Sequence, residues 1–220
     1  MVNGDFISEL EISDLKKFLE HNSRSPSENF GGCAISLSMF DWIRQNLPEG
    51  SKILEFGSGT GTIELAKHYE VTCIEDISEW MDVAKDAHYI YAPLKDNWYD
   101  LTALEALKDK TFDLILVDGP FDMKQRYGVV EWCKENPRIF GEAVLIVDDN
   151  NYTWCSDMIR DFKNLDWEHI HQCFCEKFID VVGGMGQHHW GVYQKRYECV
   201  ECATEFLKLS ESLNCCLAKL

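Results

Sequence analysis

The sequence has no long apolar run. Nothing in it approaches the roughly 18 uninterrupted apolar residues of a membrane-spanning helix, so no membrane partner is expected. Cations are scarce as well: 21 Lys and Arg stand against 38 Asp and Glu, giving a formal charge of −17 and a pI near 4.7. Nucleic-acid binding relies on clustered cations that displace counterions from phosphates, which excludes nucleic acid from the expected partners. Small molecules, cations and basic surfaces remain. The opening MVNGDFISELEISDLKK is acidic before it is apolar and does not read as a secretory leader. Repeats and low-complexity tracts are missing too. What is present is enough for one generous domain: 220 residues, 45% of them apolar and 12% aromatic. With no leader in view, the ten cysteines are expected to be reduced thiols of a cytoplasmic protein.

Apolar spacing predicts helices over 10–21 and 34–47, with SRSPSENFGG as the loop between them. From Ser51 onward, short apolar runs alternate with amphipathic stretches, the pattern of a parallel sheet covered by helices. Strands are predicted at 52–56, 71–75, 88–91, 112–118 and 143–148, with helices near 60–69, 78–86, 100–107, 127–135 and 153–162. That makes an α/β, doubly wound sheet. Beyond Phe162 two long strands, 167–180 and 189–195, are joined by the GGMGQ turn, and a hairpin without a helical crossover implies antiparallel pairing at one sheet edge. The expected organisation is one domain over 1–196, with N-terminal helices in 1–50, followed by a cysteine-containing helical tail over 197–220.

The most informative stretch is ILEFGSGTGTIELA. Gly57, Gly59 and Gly61 lie between a predicted strand and helix, where the chain must reverse and a ligand needs room beside the backbone. A dinucleotide fingerprint, GxGxxG, would need its third glycine where Thr62 stands. The acid Glu55 just before the loop is unsuited to a pyrophosphate and suited to a ligand carrying ammonium and sulfonium groups. Glu75, ending the next strand, can accept hydrogen bonds from both ribose hydroxyls of a nucleoside. Its neighbour Asp76 either shares that task or caps a helix starting near Ser78.

The series E-x-G-x-G-x-G, VTCIED and FDLILVDGP resembles the class I S-adenosylmethionine-dependent methyltransferases, over most of the chain from Ser36 to Lys195. The resemblance implies a Rossmann-like seven-stranded, mostly parallel sheet of order 3-2-1-4-5-7-6 with the last strand antiparallel. It implies that Glu55, Phe56, Gly57, Ser58, Gly59, Gly61 and Thr62 hold the methionine part, Glu75 with Asp76 the ribose, and Asp118 the region near the methyl group. The family's adenine-binding acid has no direct equivalent in YAPLKD. Ala92 and Leu94 are left to contact the base, with Asp96 as a substitute.

Asp118 ends one predicted strand in LVDGP, and Asp148 and Asp149 end the next in LIVDDN. Carboxyl ends of neighbouring strands converge on one crevice, where three carboxylates repel unless a cation or protons intervene. Hard oxygen ligands select Mg2+, Ca2+ or Mn2+, and the placement resembles metal-dependent O-methyltransferases of the catechol and macrocin types. Equally open is a site without metal, in which Asp118 touches cofactor or acceptor, Asp148 is structural, and Asp149 with Asn150 caps the next helix. Lys124 lies further beyond Asp118 than the lysine base of the catechol type.

His188 and His189, at the start of the last strand, are candidate bases near neutral pH, against a reading as a surface turn beside Trp190. Lys124, Arg126 and Tyr127 are acceptor-side candidates. Trp80 and Trp98 read as core or cofactor-edge aromatics. Cys199–Cys202, Cys173–Cys175 and Cys215–Cys216 raise the question of structural zinc, but buried free thiols are favoured because the tail reads as one helix.

The expected function is methyl transfer from S-adenosylmethionine to a hydroxyl of a small molecule, with a divalent cation as an open addition and a homodimer allowed for. The alternatives are a protein methyltransferase or a non-catalytic cofactor-binding subunit on the same scaffold. A nicotinamide-dependent oxidoreductase is disfavoured by Thr62.

Overall fold

The structure is a computed structural model that describes residues 34–150, 153–179 and 184–195. The predicted helix over 10–21, the tail over 197–220 and the tail cysteines Cys199, Cys202, Cys215 and Cys216 lie outside these residues.

Helix α1 (Leu37–Asn46) starts at Ser36, whose hydroxyl accepts from the Met39 N–H at 3.2 Å, and buries Met39 and Ile43. There follow β1 (Lys52–Phe56), α2 (Thr60–Ala66), β2 (Glu70–Glu75), β3 (His88–Tyr91) and the short strands β4 (Leu94–Lys95) and β5 (Trp98–Tyr99). After α3 (Leu101–Leu104) come β6 (Leu114–Val117), α4 (Gly128–Glu135), α5 (Pro137–Phe140), β7 (Val144–Asp148), α6 (Thr153–Asn164), β8 (Trp167–Ile179) and β9 (Gly184–Lys195).

Seven strands form one sheet in the order β3-β2-β1-β6-β7-β9-β8. With the β4–β5 hairpin set aside, this is the expected 3-2-1-4-5-7-6. Every pairing is parallel except those of β9, which runs antiparallel to both β7 and β8. Central strands are buried on both faces, as parallel sheets under helices must be. Side chains alternate between two cores: Ile115 and Val117 of β6 join Leu54, Phe56, Leu145 and Val147 on one face, with Val129 of α4 and Phe162 of α6. Leu114 and Leu116 join Ile53, Ile146, Met39 of α1 and Leu65 of α2 on the other. Helices therefore cover both sides. Among the described residues no helix is long and apolar enough to cross a membrane.

Register fixes where a ligand can sit. Phe56 pairs with Ile74 and Val117, and Val117 with Val147, so Gly57, Glu75, Asp118 and Asp148 follow one another along a single rim. The chain steps outward through β2 and β3 on one side of β1 and returns through β6 on the other. The crevice between β1 and β6 is the sheet's topological switch point.

Several elements differ from the sequence expectation. The region 78–86 holds only one 3-10 turn, Ser78–Trp80, and Asp82 adopts φ of 63°, which a continuing helix cannot use. The region 100–107 is one α turn plus a 3-10 turn, opened by Asp100 accepting from the Thr102 N–H at 2.9 Å. The β4–β5 hairpin was not expected. Its two-residue loop, Asp96 and Asn97, has φ of 53° and 68°, the paired left-handed conformation of a type I′ turn. Gly184 to Gln187, expected as the turn of the last hairpin, are the first residues of β9, in register with Glu176 to Ile179.

Candidate functional site

The glycine loop after β1 is set by two backbone approaches. Gly57 has φ of 87°, in the left-handed region. A Cβ there would stand 3.0 Å from the Gly119 nitrogen, and a Cβ on Gly119 would stand 2.7 Å from the Gly57 nitrogen and 2.4 Å from the Tyr99 hydroxyl. The loops leaving β1 and β6 thus pass backbone to backbone at the switch point, with Tyr99 of β5 beneath. The Tyr99 hydroxyl is fully buried and has no hydrogen-bond partner among the described residues. Burial raises its pKa, and the nearby charges of Asp76, Glu75, Arg126 and Asp118 all act on it. A buried, unsatisfied hydroxyl of this kind is costly, and it faces the rim where the expected cofactor residues gather.

Glu55 points to the α2 face of the sheet. It is 2% exposed, accepts from Cys73 Sγ at 3.4 Å and hydrogen-bonds Thr62, whose Oγ1 also accepts from the Gly59 N–H at 2.9 Å. Glu55 thus braces the glycine loop against β2 and α2. Burial pushes its pKa up to about 7. Glu75 lies closer to the crevice: its Oε1 accepts from the N–H groups of Asp76 and Ile77, both at 2.9 Å, and its Oε2 from the Ser58 hydroxyl at 2.8 Å. Burial nonetheless raises it to about 7. Asp76 is raised to about 6, again by burial. It does not cap the following turn, whose N-cap is Ile77 without a side-chain cap. Ala92 is buried and its N–H donates to the Glu75 carbonyl at 2.9 Å, whereas Leu94 and Asp96 are exposed on the β4–β5 hairpin. Trp80 lies over Gly59, its ring 3.2 Å from where a Cβ would stand, and Trp98 packs in the core against Phe56.

Asp118, Asp148 and Asp149 converge as expected, each offering a carboxylate oxygen within 4.8 Å of the others. Asp148 is buried at the end of β7, and Asp149 follows with φ of 54°. Between them lies Arg126, on the 3-10 turn Met123–Tyr127. This guanidinium is 5% exposed: Nε donates to the Pro120 carbonyl at 3.1 Å, one terminal nitrogen lies 3.3 Å from Asp149 Oδ2 and the other 3.5 Å from Asp118 Oδ1. Burial works against its charge, but Asp149, Asp118 and Asp148 outweigh it and raise its pKa further. A divalent ion would have to draw the Asp118 and Asp149 oxygens away from a fixed positive charge. The donor set as arranged does not suit a metal. Asn150, weighed as a helix cap, donates to the Tyr193 hydroxyl at 3.5 Å.

The remaining candidates scatter. Lys124 is exposed and lines an open cavity of about 450 Å³ together with Lys95, Trp98, Tyr99, Gln125 and Trp132. Tyr127 donates a short hydrogen bond to Asp161 of α6, which is the main reason its pKa rises to about 12. His188 and His189 pair in register with Cys175 and Phe174, and Trp190 with Asp148. The two histidines therefore follow the end of β7 along the rim. Their side chains, and those of Cys173 and Cys175, lie outside the described part. Cys73 and Cys133 are buried. Sequence reasoning missed Tyr99 altogether and treated Arg126 only as an acceptor contact. The available signal for Arg126 was the unanswered charge of three converging acids.

No protein-family model matches the sequence, and no curated protein matches it. Solved structures do resemble the fold. A precorrin-6y C5,15-methyltransferase from Geobacter metallireducens superposes with a TM-score of 0.54 at 11% identity, covering 80% of this chain and 94% of that one. A proposed RNA methyltransferase from Pyrococcus horikoshii gives 0.52 at 14% identity, covering 84% and 100%. A proposed methyltransferase from Thermoplasma acidophilum gives 0.50 at 13%, covering 75% and 77%. At such identities the likeness is one of fold, the Rossmann-like fold of S-adenosylmethionine-dependent methyltransferases.

Proposed function

We propose that this protein binds S-adenosylmethionine at the β1–β6 switch point and transfers its methyl group to a hydroxyl of a small molecule. The supporting observation is the approach of Gly57 to Gly119 beside Glu75 and the unsatisfied Tyr99 hydroxyl. It joins close backbone, a carboxylate acceptor and a buried donor at the place where this fold binds ligands. When bound, the cofactor supplies a methyl group on a positively charged sulfur.

The chain's own residues bind and orient. Ribose hydroxyls would take the place of the Ser58 hydroxyl on Glu75 Oε2, favouring the ionised carboxylate. Tyr99 would donate to an oxygen of the ligand or to a water held with it. Asp118, one step past Gly57 along the rim, places negative charge on the acceptor side. In an in-line displacement the acceptor oxygen bonds the methyl carbon as the sulfur–carbon bond breaks. The electron pair stays on sulfur, and the hydroxyl proton passes to a base on this rim. His189, which precedes Trp190 in β9 and so lies one position beyond the Asp148–Trp190 pair at the end of β7, is the residue we place there. Enzymes of this kind act mainly by positioning the two reactants. A small acceptor, rather than an RNA like that of the Pyrococcus neighbour, is supported by the charge of −17.

Calorimetry with S-adenosylmethionine, S-adenosylhomocysteine and NAD tests the reading. Binding of the first two and not the third is expected, and it should be lost in Gly57→Val. Preferential binding of NAD would contradict it.

A further inference from the structure

We propose that the Arg126 guanidinium is the resident cation of the Asp118–Asp148–Asp149 cluster, and that by holding Asp118 and Asp149 it keeps divalent metals out. Three acids within 4.8 Å of one another need a counter-charge. The chain provides it from within the loop that leaves β6. Arg126 anchors Nε on the Pro120 carbonyl, which fixes the plane of the guanidinium, and turns its two terminal nitrogens to Asp149 and Asp118. Its side chain is 6% exposed, against 15% for Asp118 and 29% for Asp149. The cation is thus the most enclosed member of each pair. Arginine cannot shed its proton in such a place, so the charge is permanent. Divalent metals take carboxylate oxygens at about 2.0–2.6 Å. An ion at that distance from Asp118 and Asp149 would displace the guanidinium into a space where Pro120 offers it one acceptor. The consequence is methyl transfer without a metal, which rests on the function proposed above. Arg126 is a positioning residue: it fixes the acids at the ends of β6 and β7 and sets the charge the acceptor meets.

Manganese itself is the probe, read by electron paramagnetic resonance on the full chain. Wild type should leave the free-ion signal of millimolar Mn2+ unchanged. Arg126→Met should take up one equivalent, and that uptake should disappear when Asp149→Asn is added. Arg126→Lys, which keeps the charge, should remain metal-free. Stoichiometric Mn2+ binding by wild type that is lost in Asp149→Asn overturns the proposal, whether or not the methionine variant folds. So does a folded Arg126→Met that binds no more Mn2+ than wild type. Failure to bind S-adenosylmethionine in calorimetry would remove the function proposed above and leave the manganese result to stand by itself. Normal cofactor binding with turnover that requires added metal would overturn the present inference alone.

Discussion

Glu55 and Glu75 are acids kept partly protonated by burial, both raised from 4.5 to about 7. Between those values the folded chain holds protons that the unfolded chain has released. Their contribution to stability is therefore fully present below about pH 4.5 and is lost as the pH rises through about 7. A ligand that donates hydrogen bonds to Glu75 favours its ionised form, so binding should release protons. S-adenosylmethionine affinity should weaken from pH 8 to pH 6, and calorimetry in buffers of different ionisation enthalpy should show proton release. A pH-independent affinity would exclude Glu75 as a ligand contact. Tyr99 gives an opposed pair of effects. Tyr99→Phe removes a buried hydroxyl with no partner among the described residues, so the ligand-free protein should gain stability, by up to about 1–3 kcal/mol. The same change should weaken cofactor binding. Thermal unfolding with and without ligand reads both, and a variant that loses stability while binding normally would show the hydroxyl to be structural. Gly119→Ala should cost both, because its methyl would meet Tyr99 and the Gly57 backbone.

Among the elements, what could be read in the sequence was what period and turn chemistry encode directly. Four consecutive buried residues in β6, and the glycine loop between β1 and α2, have unambiguous local signatures. The segment after β2 does not: Ser78 to Asp86 has helical composition, but the chain makes a single 3-10 turn, Ser78–Trp80, is extended at Met81 and takes a positive φ at Asp82. The β4–β5 hairpin was present as Asp96-Asn97, a type I′ pair without the glycine that usually announces it. Asn97→Gly should therefore stabilise the hairpin by several tenths of a kcal/mol, while Asn97→Val should destabilise it by more. Chemical denaturation measures both, and equal stabilities would contradict the turn assignment. Arg126 was hidden for another reason. It reaches the acids by folding its own loop back over Pro120, a tertiary return that no local pattern specifies. The acids themselves were legible because strand ends in a parallel sheet must share a rim. The cation that answers them was not.

The molecule as a whole carries a charge of −17, of which only a small part lies at the rim. There Asp118, Asp148 and Asp149 gather around the buried Arg126, with Glu75 and Asp76 further along the rim, an environment that suits a cationic ligand and opposes a phosphate backbone. At near-physiological salt, filter binding should detect no association with RNA duplexes or single strands. Retention there would overturn the choice of a small acceptor. The fold places these groups through one feature, the reversal of direction between β1 and β6, and the central claim is that this crevice is where S-adenosylmethionine binds. The most direct measurement is a crystal structure of the full chain grown with S-adenosylhomocysteine. The ligand's sulfur is expected beside the Gly57–Gly119 approach, its ribose on Glu75, and Arg126 still between Asp118 and Asp149. Ligand bound elsewhere, in the cavity of Lys124 and Trp98 for example, with the switch point empty, would contradict that claim.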